Sequence, residues 1–386
     1  MNPLFGTPFS VHAWFSTHRD SRRVTSHESR LTTHDDDPVM RLCTACSLER
    51  FVRSLAMRFL QNIDAIRWRI NCCFMRFLNF VLKAGEPVRL GMFLGDGIVD
   101  VTAAMRKLPL PFDSRRGKGD MLSLIKMWSK APADALQPMQ DILKQPPAMF
   151  KDITYARGTI HRILPPLVPA KNVFCVGQNY KKHIEEMSKA RGVEVKFPKK
   201  PTFFTKPPTS IIGDGDKISF DRSVTQRVDY EVELAIVIGR ETKNVSVEEA
   251  MDSVFGYTIV NDVSARDLQE AHGQFFKGKA LDTFCPIGPC IVTADEFGSP
   301  SQGRRLTTTV NGVIRQDSTT SDLLFSCAEI VSSLSQGMTL EVGDVIATGT
   351  PSGVAQGMTP PGWLNHGAVF TYVCVYALSQ CGRRCR

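Results

Sequence analysis

Val228-Asp229-Tyr230-Glu231-Val232-Glu233-Leu234-Ala235-Ile236-Val237-Ile238-Gly239 is the stretch of this 386-residue sequence on which the fold turns. Side chains at i and i+2 of a strand share a face, so Glu231 and Glu233 project together, with Ala235 and Val237 after them on that face. Tyr230, Val232, Leu234, Ile236 and Ile238 make up the opposite face. A strand apolar on both faces is expected to be buried on both. Two adjacent carboxylates at its entrance then require a cation or a shared proton, because desolvated like charges cannot stand side by side. Read alone, the pair also suits a solvated strand end.

Working outward, residues 172–373 contain further short β segments at 173–176, 202–205, 256–260, 306–310 and 345–348. Helix starts are few and clear. Ser246 with Glu249 forms a capping box ahead of 250–254, and Ser326 with Glu329 forms another ahead of a helix that Gly337 can close. Upstream, 77–82, 88–94 and 97–101 read as strands punctuated by Gly85, Gly91, Gly95 and Gly97, followed by helical stretches at 121–128 and 138–143. Pro165, Pro166 and Pro169 make a stiff linker. The expected class is mainly β (α+β), with peripheral helices. The expected division is a small β-rich N-terminal domain at 75–165 and a principal domain at 172–373. Residues 1–74, rich in Arg and lacking Lys, show no sustained period and read as a poorly ordered extension, either a targeting segment or a gene-model artefact. Residues 374–386 form an atypical basic tail.

Apolar residues at 42% and charged residues at 22% exclude collagen, coiled-coil and wholly disordered classes. The most apolar stretch, 68–83, is broken by Arg69, Asn71, Arg76 and Asn79, so no membrane span is expected. Eleven Cys without a signal-peptide pattern read as reduced thiols, which leaves mitochondrial and cytoplasmic placement open. Cys43-Thr44-Ala45-Cys46 has the spacing of half a zinc site, but the adjacent Cys72 and Cys73 do not supply the other half. The net charge of +8 lies in the flanks: residues 172–373 carry 19 Lys and Arg against 24 Asp and Glu. An acidic centre without interleaved aromatic and basic residues argues against nucleic acid as a partner.

A third carboxylate, Asp262, stands where the segment 256–260 passes through Asn261 into a helix-like stretch at 264–272. Three hard oxygen donors without Cys or His select Mg²⁺, Mn²⁺ or Ca²⁺ over zinc or copper. Taken singly, Asp262 serves equally as a helix cap. His183 and Glu186 lie at i and i+3 of a helical stretch and share a face, where a carboxylate can keep the imidazole basic. A charged surface helix would show the same spacing. Lys206 and Lys279 are candidate oxyanion stabilisers or merely solvated lysines. The turn Thr348-Gly349-Thr350-Pro351-Ser352-Gly353 offers N–H groups and hydroxyls to an anion.

Seven segments in this order resemble the fumarylacetoacetate hydrolase superfamily. They are Cys175-Val176-Gly177-Gln178-Asn179-Tyr180 with His183, Tyr230-Glu231-Val232-Glu233-Leu234, Asn261-Asp262-Val263-Ser264-Ala265-Arg266-Asp267-Leu268-Gln269, Lys279, Cys285-Pro286-Ile287-Gly288-Pro289, Val310-Asn311-Gly312, and Gly343-Asp344-Val345-Ile346-Ala347-Thr348-Gly349-Thr350-Pro351. The run from Lys279 to Pro289 is most similar to the eukaryotic domain-containing protein 2 branch. The resemblance implies a mixed β-sandwich roll, usually a homodimer, that binds a divalent ion through Glu231, Glu233 and Asp262. Its substrates would be small 2-oxo acids or 1,3-dicarbonyls, and its reactions C–C hydrolysis, oxaloacetate decarboxylation or tautomerisation, all through a metal-bound enolate. His183, Glu186 and Lys279 would be catalytic. Tyr180, Lys206, Arg266, Gln269, Gly349 and Thr350 would position the substrate. The alternative is a weakly catalytic relative that binds a small carboxylate without turnover. After Gly367 the sequence departs from the family pattern, so the last strand pair is not expected on resemblance alone.

Overall fold

The computed structural model describes residues 75–107 and 120–375. The extension 1–74, with its cysteine pairs, and residues 376–386 of the basic tail lie outside the described residues.

Val232–Ile238 is a strand with every residue buried. It is central because it pairs antiparallel with Val254–Asn261 on one side and with Val345–Ala347 on the other. The two apolar faces require this placement, since each full burial of a Val, Leu or Ile side chain is worth about 1.5–3 kcal/mol. The fold is α+β, built on one large mixed sheet of 11 strands. The order across it is Thr154–Ala156, Gly97–Asp100, Arg89–Leu94, Arg76–Val81, Ile291–Thr293, Val254–Asn261, Val232–Ile238, Val345–Ala347, Val173–Gly177 and Thr202–Lys206. Arg162–Leu164 pairs with Arg76–Val81 off this path. Its pairs are antiparallel apart from the parallel contact between Val345–Ala347 and Val173–Gly177. The regions expected on either side of 165–171 therefore share one sheet, joined where Arg76–Val81 meets Ile291–Thr293.

A second sheet packs Val313–Thr319, Arg305–Val310 and Phe370–Val375 in that order. The last of these strands runs beside Arg305–Val310 from Val310↔Phe370 to Arg305↔Val375, so one strand follows Gly367, and the second of the doubted pair falls outside the described residues. Both sheets feed one apolar core that includes Leu234, Ile236, Tyr257, Leu306 and Tyr372. The helix Cys327–Ser335 also packs there, started by a capping box in which Ser326 and Glu329 each bond the other's backbone.

Two local expectations are corrected by the sheet. Ser246 and Glu249 do bond each other, but Ala250–Ser253 is only a 3₁₀ turn, because Val254 is drawn into the strand opposite Ile238. The expected helix at 264–272 begins only at Arg266, since Ser264–Ala265 pairs with Val228–Asp229. Among the described residues, no helix is long and apolar enough to cross a membrane.

Candidate active site

Strand register assembles the acids. Val232 lies opposite Asn261, so Glu231 and Asp262, each just beyond the ladder, become neighbours. The Asp262 N–H donates to the Glu231 carbonyl at 2.8 Å, and the Glu231 N–H donates to Asn261 Oδ1 at 2.9 Å. Glu231, Glu233 and Asp262 are 4%, 1% and 0% exposed, and each turns a carboxylate oxygen to within 4.8 Å of the others.

Three cations hold this floor. Lys279 Nζ donates to Glu231 Oε2 at 2.7 Å and to Asp262 Oδ2 at 2.6 Å. Lys206, fully buried, donates to Asp262 Oδ1 at 2.7 Å, to the Val263 carbonyl at 3.1 Å and to the Lys279 carbonyl at 2.5 Å. Arg266 contacts Glu231 Oε1 at 2.5 Å and Asp229 Oδ2 at 2.9 Å. Four carboxylates, counting Asp229, thus face three cations, and the uncompensated acid is Glu233. Among the described residues its carboxylate forms no ion pair and accepts one hydrogen bond, from the Gly349 N–H at 2.7 Å.

The proton equilibria reflect this imbalance. Burial, then Asp262 and Glu231, push the Glu233 carboxyl well up, against the pull of Lys279 and the Gly349 N–H. Burial also works against ionisation of Glu231, but Lys279, Arg266 and His183 outweigh it and hold this carboxyl below the usual range. An all-oxygen donor set that is buried and short of one positive charge fits a hard divalent cation.

The facing wall is the helix Lys181–Arg191. His183 Nδ1 lies 3.4 Å from Glu186 Oε2, and Glu186 in turn accepts the Gly353 N–H at 2.9 Å and 3.2 Å through its two oxygens. The carboxylate favours the proton on Nδ1 and leaves Nε2 basic. Asn179, fully buried ahead of this helix, ties it to the floor by donating to the Thr348 carbonyl at 2.7 Å and accepting the Phe325 N–H at 2.7 Å. The turn at Gly349 runs close beneath. Its φ is +100°, and a Cβ there would stand 2.7 Å from Asn179 Cβ, so both the backbone angle and the space call for glycine.

His183, Glu231, Glu233, Arg266, Gln269, Lys279 and Thr350 line one cleft. Asp262 lies beneath its floor, Glu186 stands behind His183, and Gly349 reaches the floor through its N–H. Tyr180 and Lys206, expected to touch substrate, are not on the cleft wall. Tyr180 is 1% exposed ahead of the helix, its backbone bridged to Leu323, while Lys206 is spent on Asp262 and two carbonyls. Asp229 and Gln316 were missed. Asp229 accepts the Ala355 N–H at 2.7 Å and orients Arg266, and its alternation with Glu231 and Glu233 was a readable signal. Gln316 accepts the Val232 N–H at 3.0 Å and donates to Thr350 Oγ1 at 2.7 Å from a distant hairpin, which no local pattern announces.

Residues 172–382 match the family model of the fumarylacetoacetate (FAA) hydrolase C-terminal domain, which is more than half of the chain. The chain belongs to the fumarylacetoacetate hydrolase family. Within it, the chain is 42% identical over 279 residues to the oxaloacetate tautomerase YisK of Bacillus subtilis, covering 72% of this chain and 90% of that protein. Among solved structures it resembles the fumarylacetoacetate hydrolase (EaFAH) of Exiguobacterium antarcticum, with a TM-score of 0.61, 38% identity, and 78% and 95% of the two chains covered. It also resembles the 2-hydroxyhepta-2,4-diene-1,7-dioate isomerase of Mycobacterium marinum, with a TM-score of 0.55, 30% identity, and 78% and 94% covered. These likenesses reach the superfamily and do not single out the domain-containing protein 2 branch.

Proposed function

We propose that this fumarylacetoacetate hydrolase family member is a divalent-cation-dependent enzyme of small 2-oxo acids, and that its reaction is keto–enol tautomerisation of oxaloacetate by proton transfer at C3. The observation that carries the reading is the placing of a carboxylate-backed imidazole, His183 with Glu186, on the same cleft as a buried three-carboxylate cluster. The 42% identity to an oxaloacetate tautomerase over most of that protein supports the choice of reaction.

Glu231, Glu233 and Asp262 would hold Mg²⁺, Mn²⁺ or Ca²⁺. When bound, such an ion supplies Lewis acidity that makes the C3 protons of a 2-oxo acid easier to remove. His183 takes that proton on Nε2 and returns it to the enol carbon or oxygen, while Glu186 fixes the tautomer and stabilises the imidazolium. Two of the three N–H donors of Lys279 are engaged by Glu231 and Asp262, which leaves one for a substrate oxygen. Gln269, which accepts from Arg266 at 3.2 Å, lies on the cleft wall, where it orients the substrate carboxylate.

C–C hydrolysis is the second reading, favoured by the likeness to the Exiguobacterium antarcticum hydrolase. It would employ the same imidazole on a water molecule. ¹H NMR of oxaloacetate and acetylpyruvate in D₂O with Mg²⁺ separates the two: C3 deuteration with intact carbon skeletons marks tautomerisation, and acetate release marks hydrolysis. His183→Ala is expected to lose about 10²-fold or more in exchange rate. Glu231→Ala and Asp262→Ala are each expected to lose Mn²⁺ binding, followed by electron paramagnetic resonance of the free ion. An unchanged rate in the first variant, or full Mn²⁺ binding in the other two, would overturn the proposal.

A further inference from the structure

Among the described residues, the cleft carries two polar side chains with nothing to hold. Arg191, the last residue of the helix Lys181–Arg191, is exposed at its rim, and among the described residues its guanidinium forms no ion pair or hydrogen bond. The Gln178 side chain, also on the cleft wall, is equally unengaged. Arg266 and Lys279, by contrast, already serve Asp229, Glu231 and Asp262. Among the described residues, Arg191 is therefore the cleft cation whose charge no carboxylate of the protein answers.

Its position along the helix is informative. His183, Met187 and Arg191 recur at i, i+4 and i+8, on one face, with about 12 Å of helix rise from first to last. Helical side chains lean toward the N-terminus, which is the direction from Arg191 toward Met187 and His183. Across the cleft, Phe204 and Phe275 meet edge to face at 5.5 Å and provide an apolar wall between the floor and the rim. Gln178 is held at φ +57°, an uncommon conformation for a residue with a side chain, of the kind that persists where the surrounding fold imposes it.

We infer that Arg191, assisted by Gln178, reads the distal carboxylate of a dicarboxylic 2-oxo acid, and so selects dicarboxylates over monocarboxylates in the same cleft. This rests on the proposed function: the 2-oxo end lies on the floor beside His183, and the far carboxylate meets the guanidinium at the rim. An exposed Arg suits the task, since its planar fork donates two parallel hydrogen bonds to a carboxylate without the cost of a buried unpaired charge.

The test compares oxaloacetate with its 4-monoethyl ester, which keeps the reacting end and loses the distal charge. Wild-type enzyme with Mg²⁺ is expected to favour oxaloacetate by about tenfold in kcat/KM, a preference that added salt erodes. In Arg191→Met the oxaloacetate KM rises by about tenfold with kcat nearly unchanged, and the ester is handled as before. Arg191→Lys keeps part of the preference. Equal losses on both substrates, or none on either, would overturn the role of Arg191 while leaving the proposed function standing. Failure of the wild-type enzyme to turn over either compound would overturn the proposed function, and this inference with it.

Discussion

The floor and the helical wall of the cleft are built by opposite means. The floor is a lattice of buried ion pairs in which Lys206, Lys279 and Arg266 each bond at least two partners. The wall is a single helix whose imidazole, His183, is held by one carboxylate at 3.4 Å, itself seated on the Gly353 N–H. Removing one member of a buried pair strands an opposite charge in low dielectric, whereas removing the imidazole strands nothing of comparable cost. Stability and chemistry should thus be coupled on the floor and separable on the wall.

The largest effect expected is that of Lys206→Met. Lys279 still meets Asp262 Oδ2, but Asp262 Oδ1 is left buried without a cation, and urea unfolding should show a loss of about 3–5 kcal/mol together with loss of activity. His183→Ala is the counterpart: activity falls as above while unfolding free energy changes by only about 1 kcal/mol. If Lys206→Met were as stable as the wild type, the floor would not be the rigid element described.

Gly357→Ala acts at an intermediate level. A Cβ at 357 would come within 2.3 Å of Glu186 Cδ, the movable end of a side chain, so the carboxylate must leave His183 while the backbone stays in place. A fall in kcat of about tenfold is expected, with little change in KM or in melting temperature, and Glu186→Gln should reproduce it. A large drop in melting temperature would show instead that the wall is as tightly coupled as the floor.

The smallest effect concerns an acid without a cation. Glu296 is only partly exposed, and burial followed by the Asp295 charge raises its carboxyl to about 7. Its folded-state proton affinity exceeds that of the unfolded chain, so this contribution to stability is lost as pH rises from about 4.5 to about 7. Glu296→Gln removes the penalty. It should stabilise the protein by on the order of 1 kcal/mol at pH 8 once solvent screening of this partly exposed group is counted, with the gain shrinking toward zero near pH 5 in pH-dependent unfolding curves. A gain that grew toward acid pH would have the wrong sign for an unpaired acid, and the contrast with the paired Glu231 would fail.

Much of this was legible in the linear text because the signals are local. Period two over Val232–Ile238 specified a strand buried on both faces, and the same alternation put Glu231 and Glu233 on one side. Ser326 and Glu329 marked a helix start with chemistry confined to one turn. Spacing of three residues joined His183 to Glu186. Where a local signal competed with a strand partner the partner won, as at Val254 and at Ser264–Ala265.

What only the tertiary structure decided is who compensates whom. Lys279 reaches Asp262 across 17 residues and Glu231 across 48, and Lys206 reaches Asp262 across 56. Such pairings depend on sheet register and on which strands become neighbours, and no short pattern encodes either. Hence the sequence alone identified the acids and the imidazole as residue types with the right spacing. Among the described residues, the fold turned Lys206 from a candidate substrate contact into a buried counter-ion, left Glu233 as the uncompensated acid, and stood Arg191 unpaired at the rim.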